Sequence, residues 1–210
     1  RRSSDLYQHD NERALAYAQQ VIAIRQRLDD QRGLARVYNN IGAILEGLNR
    51  LDEARVAYDK SMAISHHIDD QIGLAWVHYN LSFLTEAQND LISATDHALE
   101  AVRVFHRLGM RARLAGVYGN VARLYMLRGH FADVEEYAHL AIRTAHETQF
   151  LRNLDAASRY LGHAAEARGA YDEAKRYYMQ GIQYALDNPK EQEVLHGFLA
   201  LSGLHYRDVD

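Results

Sequence analysis

Cysteine is absent from the 210-residue chain, so disulfides, thiolate metal sites and cysteine nucleophiles are all excluded. Proline occurs once, as Pro189. A chain so free of breakers, and rich in Ala, Leu, Arg and Glu, can run long helices with little interruption. Lysine is scarce too. Lys60, Lys175 and Lys190 are the whole set, and Arg carries the remaining positive charge, which points to a GC-rich bacterial source and says nothing of chemistry. A formal net charge of −4 supplies no basic face, so direct contact with nucleic acid is not expected. No apolar run is long enough to span a bilayer and no signal peptide is visible, which makes a cytoplasmic setting the default and membrane contact unexpected. With Arg1 in place of an initiator methionine, the chain reads as a piece of something longer. What remains is 48% hydrophobic and 25% charged, a balance that can bury a continuous core.

That core is written as a repeat. Residues 31–70, 71–110, 111–150 and 151–190 align without a gap, with a half repeat over 10–30 before them and a terminal half repeat or cap over 191–210. One column reads Ile41, Leu81, Val121, Leu161, Leu201. The next holds small residues: Gly42, Ser82, Ala122, Gly162, Ser202. A third reads Ala14, Ala54, Ala94, Val134, Ala174. Each block splits into two amphipathic helices. Leu34, Val37, Tyr38, Ile41, Ile44, Leu45 and Leu48 follow helical spacing, and so do Leu51, Ala54, Ala57, Tyr58, Ser61 and Met62. Asn49, Asn89, Gly129 and Gly169 suit the left-handed backbone of a short turn, while Asp29, Asp30, Asp69 and Asp70 are placed to cap the following helix. Helices of about 18 residues would be roughly 27 Å long. Residues 11–28 read as a second helix without its first, and residues 191–207 as a first helix without its second. That gives ten helices in one solenoid. Val194, Phe198 and Leu201 are then either part of a cap or a surface awaiting more protein.

The small-residue column of the first helix and the Ala column of the second resemble the tetratricopeptide repeat. Its clearest copies are Tyr38-Asn39-Asn40-Ile41-Gly42 with Leu51-Asp52-Glu53-Ala54 and Tyr58, and Gly162 and Gly169 with Tyr171-Asp172-Glu173-Ala174 and Tyr178. The proline that usually ends the second helix is missing; its column holds His66, His106, His146 and Leu186. This longer, forty-residue form resembles the repeats of kinesin light chains, LGN-type scaffolds and bacterial Rap and STAND regulators. The resemblance implies an all-α superhelix whose first helices line a concave groove for a protein or an extended peptide.

On those first helices the chain sets out Asn40, Asn80, Asn120 and then Tyr160. Asn both donates and accepts, so such a ladder can hold a peptide backbone; equally, it can bond the neighbouring helix and serve the stack alone. Arg36, Asn39, Trp76, Tyr79, Phe83, Arg123, Arg159 and His163 share the face, with Gly116 and Gly119 leaving room beside them. Trp76, Tyr79 and Phe83 form one stripe, either an anchor for a partner or packing between repeats. Glu46, Glu86 and Glu166 read as a solvated edge. The absence of Lys from the first helices disfavours a clamp for acidic chaperone tails, since Arg meets carboxylates differently.

No metal or catalytic reading survives the same scrutiny. His66, His106 and His146 occupy the same place on successive repeats, roughly 9–10 Å apart, and cannot converge on one ion. His139 and His146 share a helix face but lack carboxylate partners. No Gly-x-Ser-x-Gly turn or phosphate loop is present, and Asp52-Glu53 and Asp172-Glu173 are helix-start acids. The sequence therefore reads as a non-catalytic binding module with no cofactor, the sensing or docking segment of a bacterial regulatory protein. The alternatives are a scaffold that self-associates through its terminal helices, and an accessory segment of a signalling enzyme.

Overall fold

The computed structural model describes residues 2–149 and 153–187, with side chains from residue 11 onward. Among them there are nine α-helices and no strand: α1 (Arg2–Arg27), α2 (Gln31–Gly47), α3 (Leu51–His67), α4 (Gln71–Ala87), α5 (Leu91–Arg107), α6 (Arg111–Leu127), α7 (Phe131–Thr148), α8 (Leu154–Ala167) and α9 (Tyr171–Asp187). The all-α class of helical hairpins is as expected. Helix α1 starts earlier than the 11–28 expected of it, because residues 2–10 contain neither Gly nor Pro to stop it. The tenth helix, over 191–207 with Val194, Phe198 and Leu201, lies outside the described residues. The described residues up to 104 and those from 105 onward form two compact units.

The rhythm is set by backbone chirality. From α2 to α6 every helix has 17 residues and every turn three. Each turn places one residue in the left-handed region: Asp29, Asn49, Asp69, Asn89, Gly109, Gly129 and Gly169, with φ between 50° and 79°. Asp, Asn and Gly tolerate that conformation better than other residues. The same column holds Gln149 (φ 56°), a poorer fit, and here the regular turn breaks: α7 runs one residue longer and Asn153 takes a second left-handed position before α8. The paired acids divide their work. Asp29 and Asp69 make the left-handed bend, while Asp30 and Asp70 accept from the Gly33 and Gly73 amides at 2.8 and 3.1 Å as N-caps.

Within a hairpin the two helices meet at the small-residue column, and the opposing residue is matched to it. A Cβ on Gly42 would lie 2.4 Å from Cε1 of Tyr58, and one on Gly162 would lie 2.3 Å from Cε1 of Tyr178. Both rings are fully buried there. Where the column carries Ser82 or Ala122, the residue in the Tyr58 position forty and eighty places on is Ala98 or Ala138, again fully buried. The volume added on one helix is thus removed from the other, as close packing demands. Around Tyr58 the first-unit core gathers Leu45, Ala54, Ala57, Val77, Leu81 and Leu84 from α2, α3 and α4.

The glutamate column is not a solvated edge. Tyr58 donates its hydroxyl to Glu46 at 3.0 Å and Tyr178 donates to Glu166 at 3.0 Å, so the ring that fills the glycine notch also needs an acceptor one turn further along. Burial raises the Glu46 carboxyl, the Tyr58 hydroxyl partly offsets that, and the charge of Glu86 adds to it.

Two outcomes follow from this packing. Gly42→Ala is expected to cost about 1–3 kcal/mol in chemical denaturation, while adding Tyr58→Ala to Gly42→Ala should cost clearly less than the two single changes summed; additive costs would show that ring and notch are independent. Because a raised carboxyl destabilises the fold once ionised, Glu46→Gln should melt at an equal or higher temperature at pH 7. That advantage should close as pH falls below 4.5, where the carboxyl is protonated folded or unfolded.

Candidate functional site

In the first unit, first helices α2 and α4 touch directly, with α3 packed behind them. Between them lies a cavity of about 320 Å³ lined by Ala35, Arg36, Asn39 and Asn40 of α2, Ser61 and Ser65 of α3, and Gly73, Trp76 and Asn80 of α4. The opening exists because the chain puts small residues around it. Ser65 occupies the column that holds the large, fully buried Phe105 one repeat later, and Gly73 the column that then holds Arg113. Five residues expected on this face therefore converge: Arg36, Asn39, Asn40, Trp76 and Asn80.

Their geometry is that of a hydrogen-bonding wall beside an aromatic one. Asn80 donates Nδ2 to Asn39 Oδ1 at 3.0 Å, which ties α4 to α2 at the cavity and uses one acceptor of Asn39 and one donor of Asn80. Asn40 is exposed at the rim, as is Arg36. Arg36 lies close enough to Asp30 to help hold that carboxyl below its ordinary value, the largest cause being the Gly33 amide. On the floor Ser61 donates to the Ala35 carbonyl at 2.8 Å, and the buried Ser65 hydroxyl meets no hydrogen-bond partner among the described residues. From the cavity the aromatic stripe continues along α4. The rings of Trp76 and Tyr79 meet edge to face at 5.9 Å, and those of Tyr79 and Phe83 at 5.1 Å. All three are half-buried. Sequence reading missed Ser61, Ser65 and Gly73, although serine in columns that hold Ala, Gly or Phe in the later repeats was a visible signal.

The expected residues of the second unit are arranged differently. Asn120 is buried and accepts from Nη2 of Arg123, three residues on, at 2.8 Å. Arg159 lays its guanidinium over the Tyr160 ring at 5.3 Å. His163 shares a 2.9 Å hydrogen bond with the Tyr178 hydroxyl and sits 3.9 Å from Glu166. Burial first, then Arg159, push its imidazole below the ordinary value. The asparagine column thus has three environments: exposed at Asn40, bridging at Asn80, inward at Asn120. Side chains added at Gly116 or Gly119 would meet nothing within 4 Å, so part of α6 is bare backbone.

His66, His106 and His146 are exposed at the last turns of α3, α5 and α7. His146 meets the Tyr184 hydroxyl at 2.9 Å, and His139 meets that of Tyr177 at 3.4 Å. Among the described residues no group of three or more His, Asp or Glu is placed to hold a metal ion, and no helix is long and apolar enough to cross a membrane.

Comparison with known proteins places this architecture. A Tetratricopeptide repeat profile matches residues 4–65 and 34–107, and a second profile of the same description matches residues 150–188. No curated protein matches the chain. Among solved structures, BtubC (BKLC) from P. vanneervenii aligns over 95% of this chain and 85% of its own, at 15% identity and a TM-score of 0.80. A signal transduction ATPase with numerous domains from Pyrococcus horikoshii, which carries a tetratricopeptide repeat sensor, aligns over 82% of this chain at 15% identity and a TM-score of 0.74; the match spans 27% of that longer protein. A kinesin light chain-type protein of Podosopora anserina with nearly identical repeats aligns over 87% of both chains, at 17% identity and a TM-score of 0.60. Profiles that together match more than half of the chain, on hairpins with the matched packing described above, make it a member of the tetratricopeptide repeat family.

Proposed function

We propose that the chain is a protein- or peptide-binding module and that the first unit carries its docking face. The observation that supports this most directly is the cavity between α2 and α4, which is lined by the bridged carboxamides of Asn39 and Asn80 and by the only tryptophan of the sequence. An extended segment offers one N–H and one C=O per residue, the complement of a carboxamide wall, while Trp76, Tyr79 and Phe83 supply an anchor for an apolar side chain. Tetratricopeptide repeats in general bind proteins or peptides, and the fold is generally non-catalytic. As a finer reading, the chain is the sensing or docking segment of a cytoplasmic bacterial regulator, in the way the Pyrococcus horikoshii ATPase carries a tetratricopeptide repeat sensor as part of a longer protein.

Peptides selected from a random displayed library on the intact chain provide the test. Asn39→Ala with Asn80→Ala is expected to weaken the best binder at least tenfold, equivalent to about 1.4 kcal/mol, with little change in the helical melt. Asn120→Ala should do the reverse, lowering the melt and leaving affinity alone, since that side chain is buried. Undiminished binding by the first variant would remove the α2–α4 face from the docking role.

A further inference from the structure

One contact in the first unit titrates where its counterpart in the next hairpin cannot. His78 of α4 and His97 of α5 face each other through their Nδ1 atoms at 3.0 Å, with ring centroids 5.2 Å apart, and both are half-buried. Forty residues on, the same two positions are Tyr118 and Tyr137, whose rings pack at 6.1 Å and stay neutral in acid. We propose that the His78–His97 contact is a proton-operated latch between α4 and α5, closed at neutral pH and opened by acidification.

Donors and acceptors decide how the contact responds to acid. Two nitrogens at hydrogen-bonding distance need one proton between them, so one ring must present a bare Nδ1. A first added proton can go to the far nitrogen of the donor ring, Nε2, which charges the ring without breaking the contact. A second has only the acceptor Nδ1 left, and then two N–H groups point at each other. The latch therefore opens at the second proton, and the two rings titrate as a pair and not as individuals. Charged and titratable groups of α3 and α5 act on it. Arg55 and His66 of α3 and Arg103 of α5 oppose protonation, while Asp90 at the start of α5, with Asp96 and Glu100 on it, favours protonation. Glu100 is itself ion-paired with Arg103. Burial outweighs these charges and holds both imidazoles below their ordinary value. A histidine depressed in the fold contributes stability above its unfolded pKa of 6.5 and loses it as pH falls through the folded value. Acid is thus the opening direction. His78 lies on α4 with Trp76 and Asn80, so a movement of α4 on opening would also reach the proposed docking face; that consequence, unlike the latch, rests on the proposed function.

The test needs no partner. Histidine ring resonances of the intact chain are followed by NMR from pH 8 to 5, and thermal melts are compared at pH 7.5 and 5.5 for the parent and His78→Tyr/His97→Tyr, which copies the next hairpin. Both rings are expected to titrate in two linked steps, and His97→Gln to leave His78 a single step. The parent should lose about 2–4 °C more than the double variant on acidification, because His163 and the other histidines are common to both. Independent single-step curves for the two rings, or an unchanged acid loss in both the double variant and His97→Gln, would overturn the latch. Loss of peptide binding in Asn39→Ala/Asn80→Ala bears on the docking face alone, so either idea can fail without the other.

Discussion

The distance between two helix axes at one crossing governs the rest of this structure. Tyr58 can lie flat against α2 only because Gly42 has no side chain, and once there its hydroxyl must be satisfied, which draws Glu46 inward. Tyr178, Gly162 and Glu166 repeat the arrangement in the second unit. A fixed crossing, with turns of constant length, holds the first helices side by side, so α2 and α4 present their faces together and a cavity can form between them. The cavity is thus downstream of the packing constraint within the hairpin.

The twenty-residue beat was legible in the sequence because its causes are local. Left-handed turn residues, helix-start acids and apolar periodicity act within a few residues of one another, and a repeat prints them several times over. The cavity was only half legible. Arg36, Asn39, Asn40, Trp76 and Asn80 share a helix-facing pattern that could be read, whereas Ser61 and Ser65 reach the same space from another helix and Gly73 has no side chain to mark it. The acceptor role of Glu46 escaped for the same reason: its partner Tyr58 lies on the other helix of the hairpin.

Periodicity also misled in one respect. It treats positions forty apart as equals, and the asparagine column shows that they are not. Asn120 turns inward to Arg123, beside a stretch of α6 thinned by Gly116 and Gly119, while Asn80 spans to Asn39. A residue's place in the repeat fixes its direction; its neighbours decide what it does. The histidine at position 78 makes the same point, since tyrosine fills that column on either side of it, at positions 38 and 118.

The matched notches have a consequence for how the chain reaches its fold. Near-identical repeats invite a helix to pair with the wrong partner forty residues away, a common failure of repeat proteins. Here the first hairpin and the second do not accept each other's helices. Tyr58 would collide with the Ser82 side chain on α4, and Ala98 would leave a hole against Gly42 on α2. Ring-and-notch pairs in the first and fourth hairpins, with small-and-small pairs in the two between, therefore work as a key code that keeps each ring-bearing helix with its own notch.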